Sequence, residues 1–408
     1  MRILIYSLNF YPELTGIGKY SWEMSEWLNL KGHEVRVVTA LPYYPEWKIH
    51  SDYRKYSYKT ENIDGVKIFR SPLWVPSLPS AIKRILHLMS YAVLSFPVLF
   101  KNIFWKPDVI ITIEPPIFSL PGSLLLSFFS RSKTLLHIQD YEIDAAFELG
   151  MMHSKKIRTI ISGVEIFYMR RFTRISSISP NMVKRAIEKG VNENDVVLFP
   201  NWVDTKNIYP LKNSSSYRKE FNIHKNKVIA LYSGNMGEKQ GLEIIIETAQ
   251  QLKLNANIQF VMCGSGAAYK RLRKLAINLD NILWLPLQPL EKLNDLLNFA
   301  DIHLLPQSKN IADLVMPSKL TGILASGKPV VATAMQGTQL AEVVEGKGLV
   351  VPPDSLKEFS DAINELANMP DKRVKLGLSA REYAVKYLDR EVVMSKFELN
   401  LFDMLNNT

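Results

Sequence analysis

The sequence predicts an α/β protein with two doubly wound domains, each built on a parallel sheet. Three observations lead to this prediction. The chain has 408 residues, more than one hydrophobic core usually organises. Short runs rich in Val, Ile and Leu alternate with helical patterns, as in sheets covered on both faces. The alternation restarts near residue 227, after a polar segment, 201–220, that is typical of a linker.

The first predicted domain covers residues 1–204. Its predicted strands are RILIYS, EVRVVTA, VKIFRS, DVIITIE, TLLHIQD, RISSIS and VVLFPN. Helical patterns lie near 19–31, 81–105 and 155–173, and Gly32 marks the end of the first helix.

The second predicted domain covers residues 205–385. Its predicted strands are KVIALYSG, IQFVMCGSG, ILWLPLQ, DIHLLPQ and KPVVATA, and GLVVPPDS leads into the helical pattern LKEFSDAINELANM. A last helix, 386–408, has an apolar face that could pack on either domain. We expect it to pack back towards the first domain.

The composition is typical of a globular protein from a reducing compartment. The hydrophobic share of 47% and the charged share of 22% are those of a globular protein. The single cysteine, Cys263, allows no intramolecular disulfide, which fits a reducing, cytoplasmic compartment. The N-terminus lacks the layout of a signal peptide. No basic–aromatic interleaving, zinc spacing or helix-turn-helix pattern occurs, so we expect no nucleic-acid partner.

The net charge of +10 is spread over both halves, with local clusters at 83–87, 154–158 and 170–174. Such clusters suit anionic lipid or phosphorylated ligands, and equally a solvated face. The apolar segment 81–105 is interrupted by Pro97 and is too short between His87 and Lys101 to span a bilayer easily. Two interpretations stay open: a helix in the membrane interface, and a buried core helix.

The loop after the first strand, NFYPELTGIGKY, opens a helix with Gly16, Ile17 and Gly18. A nicotinamide-dinucleotide fingerprint would need a third glycine, which is missing. Glycines still let backbone N–H groups approach an anion at the start of a helix. The alternative is a tight packing turn.

Three loops of the second domain have similar chemistry. LYSGNMGEKQGLE follows a strand and contains two glycines around Lys239, and CGSG follows the next strand. In VMPSKL, Ser318 could cap a helix, and Lys319 lies in its first turn. A lysine there opposes the helix dipole unless an anion binds, so its position indicates a phosphate site.

A fourth stretch, HIQDYEID, concentrates ionisable groups at a strand end: His137, Asp140, Glu142 and Asp144. Such groups are candidate acids and bases. The alternative for a single aspartate is a helix cap. No Cys/His cluster has zinc spacing and no Asp-x-Asp ends a strand, so we expect no metal.

These motifs, in this order, resemble the GT-B-fold retaining glycosyltransferases of family 4 type. The resemblance covers nearly the whole chain. It is carried by PELTGIGKY, KGHEVRVVTA, HIQDYEID, FPNWVD, LYSGNMGEKQGLE and PSKLTGILASGKPVVAT. It is closest to the exopolysaccharide branch, which includes colanic-acid-type fucosyltransferases and O-antigen N-acetylfucosamine transferases.

The resemblance implies two Rossmann-like domains facing a cleft. It implies transfer of a sugar, with retention and without metal or cofactor, from a GDP- or UDP-linked donor. The implied acceptor is linked to polyprenyl diphosphate at the cytoplasmic face of the inner membrane, with peripheral attachment of the enzyme. The first domain would bind the acceptor and the second the donor.

The resemblance also assigns roles to residues. Asp140, with His137 close by, matches the cleft residue of the first domain, and Glu13 and Glu142 lie on the acceptor side. The residues expected around the donor are Gly16, Ile17, Gly18, Ser233, Gly234, Asn235, Lys239, Gln240, Gly264, Pro317, Ser318, Lys319 and Leu320.

This chain departs from the family pattern at four positions. Asn235 and Gln240 stand where many relatives have a phosphate-binding Arg and Lys. Leu314 and Gly322 stand where many have two glutamates, the later of which holds the donor ribose; Asp313 is one residue away. The ribose must therefore be held differently, and the nucleotide base is not predicted.

Two other functions stay open. One is a GT-B enzyme acting on a soluble acceptor such as a sugar phosphate. The other is a non-catalytic sugar- or nucleotide-binding protein of periplasmic type, which the lack of a signal peptide disfavours.

Overall fold

The computed structural model describes residues 1–13, 16–77, 80–141, 144, 155–213, 215–237, 240–308 and 317–406. The chain divides into two compact units. The first comprises Met1–Pro200 and Met394–Thr408, and the second comprises Asn201–Val393.

The first unit is built on an eight-stranded sheet with the order β3-β4-β2-β1-β5-β6-β7-β8. Only the edge pair β3–β4 is antiparallel. The order changes direction between β1 and β5, which pair side by side. The strands are β1 Arg2–Tyr6, β2 Glu34–Ala40, β3 Lys59–Ile63, β4 Val66–Ser71, β5 Val109–Glu114, β6 Lys133–Ile138, β7 Arg174–Ser177 and β8 Val196–Leu198.

The helices of this unit connect the parallel strands. Both β1 and β5 are apolar and almost wholly buried, because helices cover both faces of a parallel sheet. The helices are α1 Ile17–Leu30, α2 Ala81–Lys101, α3 Leu120–Ser130, α4 Lys155–Met169 and α5 Pro180–Glu188.

The second unit has a six-stranded, wholly parallel sheet with the order β11-β10-β9-β12-β13-β14. Its order changes direction between β9 and β12. The strands are β9 Val228–Ser233, β10 Ile258–Cys263, β11 Ile282–Leu285, β12 Ile302–Leu305, β13 Val330–Thr333 and β14 Gly348–Val351. The helices are α6 Ser216–Glu220, α7 Glu243–Gln251, α8 Tyr269–Leu275, α9 Leu293–Phe299, α10 Lys319–Ala325, α11 Gln339–Val344, α12 Leu356–Asn368 and α13 Pro370–Tyr383.

The last helix, α14 Arg390–Asn406, packs on the first unit. The ring of Phe397 stacks on Phe199 with a centroid distance of 3.8 Å. Glu398 lies 2.7 Å from Nε2 of His33. These contacts join the C-terminal helix to the residue after β8 and to the residue before β2.

Two details differ from the sequence prediction. The first helix begins at Ile17 rather than near residue 19. The helix α2 runs through Pro97, which was expected to interrupt it. The hydroxyl of Tyr58 donates to the carbonyl of Leu94 at 2.8 Å, one turn before the proline. A proline has no backbone N–H for the carbonyl four residues earlier, here that of Val93, so the Tyr58 contact lies at the carbonyl next to this break in the hydrogen-bond ladder.

Candidate functional site

Gly16 and Gly18, the two glycines of the first loop, are required by different features of the structure. A Cβ on Gly18 would lie 2.4 Å from the carbonyl oxygen of Glu13, so only glycine fits there. Gly16 has a φ of 54°, and no atom of the described residues beyond its chain neighbours lies within 4 Å of its Cβ position. The packing-turn interpretation thus describes Gly18, whereas Gly16 is exposed and Ile17 half-exposed at the start of α1, where backbone N–H groups can meet a ligand.

Glu13 is an internal brace rather than an exposed carboxylate. Its Oε1 accepts the backbone N–H groups of Tyr43 at 2.8 Å and Tyr44 at 2.9 Å. Its Oε2 accepts from the side-chain amide of Asn9 at 2.8 Å. Burial raises the pKa of the Glu13 carboxyl, and these hydrogen bonds oppose that shift. Glu13 therefore joins the loop after β1 to the loop after β2.

His137 lies in the core of the first unit. Its Nδ1 is 2.9 Å from the hydroxyl of Ser176, and its Nε2 accepts from the amide of Gln139 at 2.8 Å. Burial lowers the pKa of His137 to about 3, so the imidazole is neutral. Asp140 is half-exposed at the carboxyl edge of the sheet, beyond the end of β6. The structure thus separates these two candidates.

The other two acidic candidates of this stretch, Glu142 and Asp144, do not share the half-exposed position of Asp140. Glu142 lies outside the described residues. Asp144 is buried and lies 3.1 Å from both Arg185 and Lys189, and Lys189 also pairs with Glu165. Asp144 therefore belongs to an ion network with side chains of α4 and the C-terminal end of α5.

In the second unit, two strand-end loops lie in close contact. Gly234 follows β9 with φ 133°, and Gly264 follows β10 with φ 139°. A Cβ on Gly264 would lie 2.0 Å from the carbonyl oxygen of Gly234. Ser233 is half-exposed and Asn235 is exposed beside them. Backbone groups therefore line this part of the carboxyl edge, where open parallel sheets bind ligands.

Lys319 lies against this glycine loop. Its Nζ donates to the hydroxyl of Tyr232 at 2.9 Å and lies 4.2 Å from the centroid of that ring. A Cβ on Gly234 would lie 2.9 Å from the same Nζ. Burial lowers the pKa of Lys319 to about 8, which leaves it mainly charged at pH 7. No carboxylate in the described part of the chain forms an ion pair with Lys319.

The remaining residues predicted to bind the donor differ in how accessible they are to a ligand. The side-chain oxygen of Gln240 accepts from the backbone of Gly237 at 3.0 Å, so it closes its own loop. Pro317 is half-exposed, whereas Leu320 is buried in the core. Ser318 makes no capping hydrogen bond, contrary to the prediction, because its backbone is already helical. Lys239, Asp313 and Leu314 lie outside the described residues.

Two residues of these edges were missed from the sequence. Tyr232 accepts the hydrogen bond from Lys319. In the sequence it is an aromatic residue within the apolar strand β9, a pattern that indicates only a core residue. Glu114 is buried at the carboxyl end of β5, next to the change in strand order. An acidic residue closing an apolar strand was a signal that could have found it. Within the described ranges, no group of three or more His, Cys, Asp or Glu side chains could hold a metal.

Two family models match the chain. Residues 15–202 match the glycosyl transferase 4-like domain, and residues 213–383 match glycosyl transferases group 1. The chain is also 42% identical, over 407 residues, to the putative colanic acid biosynthesis glycosyl transferase WcaI of Escherichia coli K12. That alignment covers 97% of this chain and 98% of the relative. The chain belongs to this glycosyltransferase family.

Solved structures of other glycosyltransferases have the same fold. Sucrose-phosphate synthase of Thermosynechococcus elongatus superposes with a TM-score of 0.77 at 17% identity, over 100% of both chains. HepE of Anabaena, solved in complex with UDP, gives 0.73 at 14% identity, over 99% of this chain and 100% of HepE. The predicted resemblance and the predicted two-domain α/β fold class are both confirmed, and the protein is a glycosyltransferase.

Proposed function

We propose that this glycosyltransferase moves a sugar from a nucleotide diphosphate donor to a polyprenyl-diphosphate-linked acceptor in exopolysaccharide or O-antigen biosynthesis. The likeness to WcaI, whose name refers to colanic acid biosynthesis, supports the pathway class. The donor would be GDP- or UDP-linked fucose or N-acetylfucosamine by the family resemblance, with retention at the anomeric carbon. The first unit would bind the acceptor and the second the donor.

The observation that carries the proposal is the lysine beside the glycine loop of the second unit. An ammonium that is partly withdrawn from water, and that has no carboxylate partner in the described residues, is stabilised when an anion binds. Because Gly234 has no Cβ, Lys319 Nζ lies close against the backbone of this loop, where a phosphate could contact both the ammonium and backbone N–H groups. A nucleoside diphosphate supplies that anion.

The same arrangement would assist departure of the diphosphate. Negative charge accumulates on the leaving phosphate in the transition state, and a preplaced cation and backbone donors stabilise it without a metal or cofactor. In this class the leaving phosphate assists deprotonation of the acceptor, which attacks from the same face. Asp140 would orient the acceptor or the sugar and need not be a strong base.

We propose that the acceptor reaches the enzyme at the cytoplasmic surface of the inner membrane. Among the described residues, one helical stretch, Ile82–Lys101, is long and apolar enough by length and composition to cross a membrane, and 28% of its apolar window is buried. Core helices pass the same test, so this is weak evidence of a span. The exposed positions follow one stripe of α2: Ile82, Ile85, Leu86, Met89, Val93 and Phe96.

Two further helices extend this stripe. The helices α2, α3 and α4 connect parallel strands in the same direction across the sheet, and right-handed crossovers place them on one face. They also expose Leu125, Phe128, Phe129, Ile160, Val164 and Phe167. The exposed basic side chains Lys83, Arg84 and Lys101 accompany α2. An apolar face with basic flanks suits an anionic lipid surface, which favours peripheral attachment.

A transfer assay tests this function. The protein is incubated with GDP- and UDP-sugars and either a polyprenyl-diphosphate-linked glycan or a soluble sugar phosphate, with and without EDTA. We expect diphosphate release only with the lipid-linked acceptor, unaffected by EDTA, and an α-product from an α-donor by NMR. Transfer to the sugar phosphate would support the soluble-acceptor alternative. Absence of release with every donor would overturn the proposal.

A further inference from the structure

An aromatic cluster lies in the first unit, outside the residues assigned above. We define it as Tyr43, Tyr44, Trp47, Trp74 and His87. The imidazole centroid of His87 is 4.6 Å from the ring of Tyr43 and 5.2 Å from that of Trp47. Tyr44 and Trp74 expose 38% and 37% of their surface. The cluster thus combines the buried rings of Tyr43 and His87 with the two accessible rings of Tyr44 and Trp74.

The cluster occupies the carboxyl edge of the sheet. Tyr43, Tyr44 and Trp47 follow β2, and Trp74 follows β4. The brace from Glu13 fixes the backbone of Tyr43 and Tyr44 next to the loop that carries Gly16. Ligands of open parallel sheets bind at this edge, so the cluster is placed to take part in binding.

The hydrogen bonds of His87 define its tautomer. Its Nδ1 lies 2.6 Å from the carbonyl oxygen of Trp74. A carbonyl only accepts, so Nδ1 carries the hydrogen, and Nε2 of the neutral ring is an acceptor. Burial lowers the pKa of His87, which favours this neutral form. Nε2 is buried and has no hydrogen-bond partner among the described residues.

An unpaired buried acceptor is costly, and it is relieved by a ligand that donates a hydrogen bond. The ring of Trp47 lies 5.2 Å from that of His87, and the Trp47 backbone has a φ of 53°. A bulky aromatic residue adopts this left-handed region only at a cost, and such strain occurs where a segment must move or bind. Trp47 is therefore the part of the cluster best suited to shift.

We propose that the aromatic cluster is a binding subsite for a pyranose ring. In this subsite Trp47 turns aside, a sugar hydroxyl donates to Nε2 of His87, and the rings of Tyr44 and Trp74 contact the C–H faces of the sugar. Aromatic faces carry partial negative charge and attract the edges of C–H bonds. A sugar supplies both the hydroxyl and these C–H faces.

The assignment of this sugar to the acceptor rests on the proposed function. The exposed stripe of α2 begins at Ile82, within two turns of His87. An acceptor whose sugar lies in the cluster could therefore extend its lipid along that stripe. The subsite would select for the sugar, and the stripe for the lipid.

Saturation-transfer NMR with the full chain tests the subsite. The probes are the methyl glycosides of fucose, galactose and glucose at millimolar concentration. We expect saturation of ring protons for at least one probe, and loss of most of it in Tyr44→Ala and Trp74→Ala. The matched control is Phe104→Ala, which removes a ring with 90% exposure three residues after the end of α2 and should bind as the wild type does. A permethylated probe keeps the C–H faces, lacks hydroxyl donors and should not bind.

A nitrogen-15 histidine spectrum tests the role of His87 itself. The His87 Nε2 resonance is assigned as the signal missing from His87→Phe, and it should move when the bound methyl glycoside is added. Equal saturation in wild type and Trp74→Ala, no saturation with any probe, or an unmoved Nε2 signal would overturn the subsite. Nucleoside diphosphate binding, measured on the same samples, belongs to the second unit. If only nucleoside diphosphate binding were absent, the proposed donor site would be contradicted and the proposed sugar subsite would not be affected.

Discussion

Burial changes the proton affinity of two candidate residues, with opposite consequences at pH 7. The pKa of Lys319 falls to about 8, so its ammonium is retained for an anion. The pKa of His137 falls to about 3, so its imidazole is neutral and its two nitrogens serve hydrogen bonds within the core. Of the two residues, Lys319 is thus the one placed for ligand chemistry.

The charge of Lys319 lowers the stability of the free protein. Its folded pKa of about 8 lies below the ordinary 10.5, so the unfolded chain binds more protons between these values. The free energy of unfolding should therefore rise as pH increases from 8 to 10.5. We expect Lys319→Met to stabilise the free protein at pH 7 by about 1–3 kcal/mol and to flatten this pH dependence. Urea unfolding at several pH values measures both effects, and an unchanged pH dependence in the variant would contradict them.

Asp140 is expected to act on turnover rather than on donor binding. Asparagine has nearly the same shape but cannot hold a negative charge, so Asp140→Asn should lower kcat by about 100-fold or more. The KM for the donor should change little. Asp52→Asn, an exposed site of the same unit, is the control. Unchanged turnover in the Asp140 variant would remove this role.

At the scale of elements, hydrophobic periodicity located the central strands and the long amphipathic helices. It missed β3, because the sequence KTENI is a half-exposed edge strand without apolar alternation. It missed α3, because LPGSLLLSFFS is apolar over nearly its whole length and has no polar face to mark the helical period. Edge exposure and uniform apolarity are the physical reasons for these two failures.

The exposed stripe of α2 gives a prediction about membrane attachment. Leu86→Asp and Val93→Asp place a charge on that stripe without touching the sheet, so they should lower binding to anionic vesicles by about tenfold or more. Leu254→Asp alters an exposed leucine of the second unit and should bind as the wild type does. Vesicle sedimentation measures the bound fraction. Equal sedimentation of all three variants would contradict membrane docking through α2.

At the scale of the whole molecule, the restart of the strand–helix pattern predicted the two sheets, and the rule that ligands bind at carboxyl edges made the strand-end loops the candidates for a binding site. The rule could not say which side chains in those loops face a ligand. His137 and Asp140 are three residues apart, yet one is buried and the other half-exposed, because β6 ends between them. Tyr232 could not be found because its role depends on Lys319, 87 residues away.

The C-terminal helix should matter for the stability of the first unit. Phe397 is buried and stacks on Phe199, so Phe397→Ala leaves a cavity and should cost about 3–5 kcal/mol. Phe402 lies on the same helix and is 42% exposed, so Phe402→Ala should cost much less. Thermal and denaturant unfolding compare the two variants. Equal losses would show that α14 contributes little through this packing.

The central claim is a diphosphate site around Lys319, and calorimetric titration tests it most directly. GDP, UDP, ADP and TDP are titrated with and without EDTA at several pH values, into wild type, Lys319→Gln and the exposed-site control Lys253→Gln. We expect at least one diphosphate to bind independently of EDTA, with affinity falling up to roughly tenfold per pH unit above 8, as the ammonium is lost. Lys319→Gln should bind more weakly and without that pH dependence, while Lys253→Gln should match the wild type. Absence of binding by every diphosphate, or equal affinities in wild type and Lys319→Gln, would contradict the site.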